Sequence, residues 1–183
     1  MIIYKDESWT VEQQAPTSRS VKICSPRLGS CGIYRDYFLS FPYIIFARGT
    51  SDRCYFQVGF SKTPQQVKNI EEIQFYIPPL PNLYDNGEVC LGDYPARNHD
   101  LQTLIDLFWQ TEFSEVEDPC WEMVEVACQL FKNDDPYALW EEMSKNDPDF
   151  VFNVNWGELL IGLGDQTRPA VARAVQEAPA LEC

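Results

Sequence analysis

The sequence predicts an α+β fold, with strands first and helices after. Three observations carry this. Residues 33–77 are rich in aromatic and β-branched side chains broken by turn signals, residues from 101 onward carry apolar stripes of helical period, and a long Pro/Gly/Asn/Asp-rich loop lies between them. The 183-residue length suits one domain, or one domain with an appendage.

Ile33 to Ser40 and Tyr43 to Arg48 read as strands separated at Phe41-Pro42. Gly49-Thr50-Ser51-Asp52 reads as a hairpin turn into a strand from Cys54 to Phe60. Ile73, Phe75 and Ile77 alternate with Gln74 and Tyr76, one apolar face of a further strand. Four strands in succession predict an antiparallel meander. Residues 1–20, with Gln13-Gln14-Ala15-Pro16-Thr17-Ser18, read as a loosely ordered lead-in.

Leu101, Leu104, Ile105, Phe108 and Trp109 form one helical stripe behind Asp100. Asp118-Pro119 and Asp135-Pro136 are each an N-cap followed by a first-turn proline. The first leads Trp121, Val124, Cys128 and Phe131, and the second leads Leu139, Trp140 and Met143. A weak last helix is expected from Pro169 to Glu177. The expected organisation is thus a lead-in (1–20), a core (21–115) containing the loop at 78–98, and a helical C-terminal extension packed on it (116–183).

Hydrophobic residues make up 45% of the chain and aromatics 14%, enough for a substantial core. Acidic residues number 28 against 14 basic, a formal charge of −14. That surface repels phosphate backbones and anionic lipid heads, so neither nucleic acid nor membrane is an expected partner. The N-terminus turns charged at Lys5-Asp6-Glu7 before any secretory apolar core forms, and no apolar run reaches transmembrane length. The expected location is the cytoplasm. Seven cysteines at 24, 31, 54, 90, 120, 128 and 183 lack close zinc spacing, and there is one histidine, so no metal site is expected. Most of these thiols read as small buried hydrophobes.

The chemistry concentrates in Pro81-Asn82-Leu83-Tyr84-Asp85-Asn86-Gly87-Glu88-Val89-Cys90-Leu91-Gly92. Asp85-Asn86-Gly87 is strong turn chemistry and would throw Val89-Cys90-Leu91 back toward the preceding strand. A loop folded that way brings the Asn82 amide near the Cys90 thiol, and a positioned amide can donate to an oxyanion during acyl transfer.

This run resembles the active-site flap of ubiquitin-conjugating enzymes, in which Pro-Asn, a short insert and Gly precede an aliphatic-Cys-Leu. Pro81-Asn82, Gly87 and Val89-Cys90-Leu91 match in identity and spacing. More narrowly, residues 79–92 and the run Phe108-Trp109 through Glu112-Phe113-Ser114 are similar to prokaryotic conjugating-enzyme family D, which includes the B proteins of plasmid-borne PRTRC systems. The resemblance covers residues 33–115. The chain departs from the eukaryotic motif at Leu80, which stands in the place of its His, and at Gly92, which replaces an acid. It departs from the bacterial group too. That group has a histidine after the cysteine, where this chain offers only His99 and shows Glu115 in the Phe113-Ser114 stretch.

The resemblance implies a carrier that takes a ubiquitin-like protein from a ThiF-like activating enzyme as a thioester on Cys90 and passes it to an amine. A JAB-type peptidase would belong to the same system. No cofactor is implied, because the activating enzyme uses the ATP. A free thiol is already ionised to a few per cent at neutral pH, so thioester exchange needs no histidine dyad. Asn82 is the expected oxyanion or bracing residue, and Asp93 and His99 are candidate helpers. The alternative function is a non-catalytic binding module or scaffold of the same fold; a thiol redox sensor ranks below both.

Overall fold

The computed structural model describes residues 1–24, 34–50, 55–91, 96–114, 121–156 and 161–162. Its strands are β1 (Ile2–Lys5), β2 (Trp9–Gln14), β3 (Thr17–Cys24), β4 (Tyr34–Phe41), β5 (Tyr43–Gly49), β6 (Phe56–Ser61), β7 (Gln74–Phe75), β8 (Phe113–Ser114) and β9 (Ile161–Gly162). The helices are α1 (Leu101–Gln110), α2 (Trp121–Phe131) and α3 (Pro136–Asn146). The chain is α+β.

The strand order is β1-β2-β5-β6 in one antiparallel sheet and β4-β3-β8 in a second, mixed sheet in which β3 runs antiparallel to β4 and parallel to β8, with β7 paired to β9. One register runs through the first two sheets. It pairs Trp9 with Gly49 through Gln14 with Ile44, then Thr17 with Phe41 through Cys24 with Tyr34. Carried across the gap, that register sets Pro16 opposite Pro42. Neither proline can donate to the ladder, so a single long strand pair is interrupted there and splits into two sheets.

This corrects two expectations. The lead-in at 1–20 consists of strands: Val11 and Gln13 alternate inward while Thr10, Glu12 and Gln14 face the other way, and Gln13 is held by Gln65 N–H at 3.0 Å. The polar spelling of β2 concealed a strand that has sheet neighbours on both sides. The four-stranded antiparallel sheet also starts earlier in the chain than expected, at β1. The stretches at 33–40 and 43–48 are two arms of one interrupted strand, and the stretch at 73–77 meets β6 through one bridge, Phe60 with Tyr76.

Helix α1 lies against the face of the first sheet that carries Phe46, with Phe108 edge-on to Phe46 at 5.6 Å and to Phe113 at 5.2 Å. Its stripe sits where the period placed it: Leu104, Ile105 and Phe108 are buried and Asp100 caps the first turn by accepting from Thr103 N–H at 2.8 Å. On the opposite face, Val11, Ile45 and Ala47 pack beneath Ile73 and Phe75. Phe75 lies directly over Gly59, where a Cβ would fall 2.1 Å from the ring.

Helix α3 covers the free edge of β4. Phe38 N–H donates to the Glu141 carboxylate at 2.9 Å, Ser40 N–H to Ser144 Oγ at 2.8 Å, and Trp140 Nε1–H to the Ser40 carbonyl at 2.9 Å. Side chains thus take the place of a further strand and close an edge that would otherwise invite pairing. The Phe38 N–H, first among the causes, holds the Glu141 carboxyl below its ordinary value. Asp135 caps α3 as expected, accepting from Ala138 N–H at 3.0 Å, and also pairs with Arg35 at 2.9 Å. Met123, Val124 and Ala127 of α2 and Trp140 of α3 share one core cluster with the sheet and α1. The caps expected at Asp118-Pro119 and the helix expected at 169–177 lie outside the described residues. No helix among the described residues is long and apolar enough to cross a membrane.

Candidate active site

The loop after β7 folds back on itself. Phe60 and Tyr76 exchange backbone hydrogen bonds at 2.7 and 2.8 Å, and residues 78–83 then run buried, with Leu80 and Leu83 fully enclosed. The buried Tyr137 hydroxyl of α3 donates to the Pro79 carbonyl at 3.1 Å and pins the root of the loop. A turn closes with Gly87 N–H on the Tyr84 carbonyl at 2.9 Å, and Asn86 Oδ1 accepts from Glu88 N–H at 2.9 Å. The returning arm lies along β6: Val58 N–H donates to the Gly87 carbonyl at 2.8 Å and Val89 N–H to the Phe56 carbonyl at 2.9 Å. The hairpin is therefore a short extra strand on the first sheet, and Val89 anchors it in the core.

Gly87 sits at φ +78°, in the left-handed region, and a Cβ there would lie 3.0 Å from the Val58 carbonyl oxygen and 3.3 Å from the Phe75 ring. Gly87→Ala is accordingly expected to destabilise the protein by about 1–3 kcal/mol, combining the left-handed penalty with the close approach. Urea denaturation measures it; an unchanged midpoint would mean that the hairpin is not held on β6 in this way.

Two residues eight positions apart now meet. Cys90 N–H donates to the Asn82 carbonyl at 2.8 Å, so the thiol-bearing residue is locked by its backbone to the asparagine. Asn82 has φ 61°, a left-handed conformation that asparagine accepts more readily than most residues. Its side chain is buried, and neither Nδ2 nor Oδ1 has a hydrogen-bond partner among the described residues. An unsatisfied buried amide carries a penalty of about 1–3 kcal/mol, so its retention calls for an explanation. Cys90 is half-buried.

His99 follows a short 3-10 turn (Ala96–Asn98) and precedes Asp100, the N-cap of α1, whose depressed pKa owes most to Thr103 N–H and least to His99. No described contact brings His99 to Cys90. Asp93 lies outside the described residues. Among the other thiols, Cys24 is buried, whereas Cys128 is half-buried like Cys90, so burial alone does not set Cys90 apart.

Two residues beside the candidate site escaped the sequence reading. Tyr137 follows the Asp135-Pro136 cap, and the 3.6 period through Tyr137, Trp140 and Ser144 would have found it. Glu88 precedes Cys90 by two positions, so strand alternation puts both on the face opposite buried Val89. Its carboxyl is half-buried, and burial pushes it above its ordinary value against the opposing Asn86 amide.

A four-stranded antiparallel sheet with three helices gives a mixed α+β architecture compatible with the ubiquitin-conjugating fold. The model of prokaryotic E2 family D matches residues 1–156, and the chain belongs to that family. The match takes in the N-terminal strands as well as α2 and α3. No curated protein and no solved structure matches the chain. Membership supports a role in ubiquitin-like conjugation, and with it interaction with a ubiquitin-like protein and an activating enzyme in general terms.

Proposed function

We propose that the chain is a transferase that carries a ubiquitin-like protein as a thioester on Cys90 and passes it to an amine. The observation that supports this most directly is the backbone hydrogen bond that holds Cys90 against a buried, left-handed Asn82 with an unused amide. A structural cysteine needs no such neighbour. The hairpin of residues 78–91 is, on this reading, the active-site flap.

In the loading step the Cys90 thiolate attacks the thioester on a ThiF-like activating enzyme; the new C–S bond forms and the enzyme's own thiolate leaves. In the second step an amine attacks the Cys90 thioester, and the Asn82 amide donates to the oxygen that gains charge. A JAB-type peptidase of the same system would reverse the conjugation. A non-catalytic module would bind the same partners without a covalent step, and replacement of Cys90 by serine separates the two. Cys90→Ser is expected to yield a dithiothreitol-resistant oxyester or no adduct, because an alkoxide leaves far less readily than a thiolate. Intact-mass measurement after incubation with ATP, activating enzyme and ubiquitin-like protein reads the result. A thiol-labile adduct on the serine variant would assign the thioester to another cysteine.

A further inference from the structure

Glu88 is a half-buried carboxylate that no cation balances among the described residues. Its carboxylate contacts the Asn86 amide, 3.5 Å from one oxygen, while its backbone pairs with Gln57, donates to Asn86 Oδ1 and accepts from Tyr84 N–H. No charged group contributes to its perturbation; burial raises its pKa and Asn86 opposes. Half-buried carboxylates without counter-ions are uncommon on structural grounds alone. The hairpin then decides what this one faces. Val89 points into the core, so Glu88 and Cys90 lie on the other side, two residues apart along an extended arm, about 6.8 Å between Cα atoms. Two side chains on one side of an extended arm can both reach a single incoming amine.

We propose that Glu88 is the base that receives the proton of the acceptor's ammonium group when the acyl group leaves Cys90. The inference rests on the thioester reading above and adds to it the residue that selects an amine. An alkyl ammonium has no lone pair and cannot attack. Glu88 takes one proton, giving the neutral amine and a carboxylic acid. The amine nitrogen attacks the thioester carbonyl, the C–N bond forms, the C–S bond breaks and the electrons leave on Cys90 as thiolate. The second nitrogen proton passes to that thiolate, which restores the thiol. Before the proton moves, the carboxylate also attracts the ammonium to the sulfur, a role for which no described contact places His99.

The test uses the full chain acylated on Cys90 by exchange with the 2-mercaptoethanesulfonate thioester of acetylglycine, with acylation read by mass on the Cys90 peptide. Glu88→Gln is isosteric and removes the base. Its fold should hold: burial keeps the folded-state pKa of the carboxyl raised, so ionisation of Glu88 lowers stability as pH rises through that pKa, and glutamine has nothing to ionise. Discharge to free lysine at neutral pH is expected to slow by about 10²-fold, the lower end for a lost general base. The deficit should close as pH rises toward the lysine pKa of about 10.4. Discharge to hydroxylamine, already unprotonated at neutral pH, should be unchanged. Equal slowing with both nucleophiles, or none with lysine, overturns the role of Glu88 while leaving the thioester carrier standing. Failure of the wild-type Cys90 to accept the acyl group removes the carrier reading, and Glu88 with it.

Discussion

Replacement of Trp140 by alanine is expected to destabilise the protein by about 3–5 kcal/mol, the range for truncating a large buried aromatic. Trp140 is fully buried and joins two strands, a second helix and Trp156. Its ring lies 5.7 Å from Phe41 of β4, 6.3 Å from Phe60 of β6, 5.5 Å from Phe131 of α2 and 5.1 Å from Trp156. Its Nε1–H is bonded to the Ser40 carbonyl, so alanine leaves both a cavity and a buried acceptor without its donor. Domains are stable by about 5–15 kcal/mol, so the variant approaches the limit of folding. A fall in the thermal midpoint on the order of 10 °C is expected by calorimetry. A drop of a degree or two would show that α2 and α3 are not integral to the core. The same variant should loosen the Pro79 root of the hairpin, because Trp140 and Tyr137 sit on one helix face.

Asn82→Ala is expected to leave loading of Cys90 largely intact and to slow discharge to an amine by about 10²-fold, as for loss of one oxyanion donor. Stability should change little, since alanine deletes an unsatisfied buried amide while accepting a left-handed penalty of about 1–2 kcal/mol. Asn82→Gly separates the two contributions. Glycine adopts φ 61° freely but carries no amide, so it should hold the hairpin and discharge as slowly as alanine. Normal discharge by the glycine variant would assign Asn82 a backbone role alone. Equal damage to loading and discharge in both variants would show that the residue braces the loop.

The parts of the fold legible in the sequence were those written in local chemistry. Asp100 and Asp135 announced their helices through caps, and the 3.6 period placed Leu104, Ile105 and Phe108 on the buried face of α1. The turn at Asp85-Asn86-Gly87 and the return of Cys90 toward Asn82 were likewise readable, because Gly87 and Asn82 take the left-handed conformations that their residue types favour. What the sequence hid was pairing. Whether Phe41-Pro42 separates two strands or interrupts one depends on Pro16 standing opposite, and nothing near Pro42 in sequence records that. The N-terminal strands were missed for a related reason: the Gln13 amide is satisfied by Thr63 and Gln65, some fifty residues away, so a residue that reads as solvated is buried. Glu88 was overlooked because its significance lies in a burial that only the sheet creates.

Cys90 as the carrier of the acyl group is tested by one comparison. Wild-type protein and Cys90→Ala are each incubated with ATP, the activating enzyme and the ubiquitin-like protein of the system, and intact masses are recorded with and without dithiothreitol. The wild type is expected to gain one ubiquitin-like protein through a bond that dithiothreitol removes, and the alanine variant to gain none. An adduct of equal amount on Cys90→Ala, or a wild-type complex that never becomes covalent, would contradict the claim.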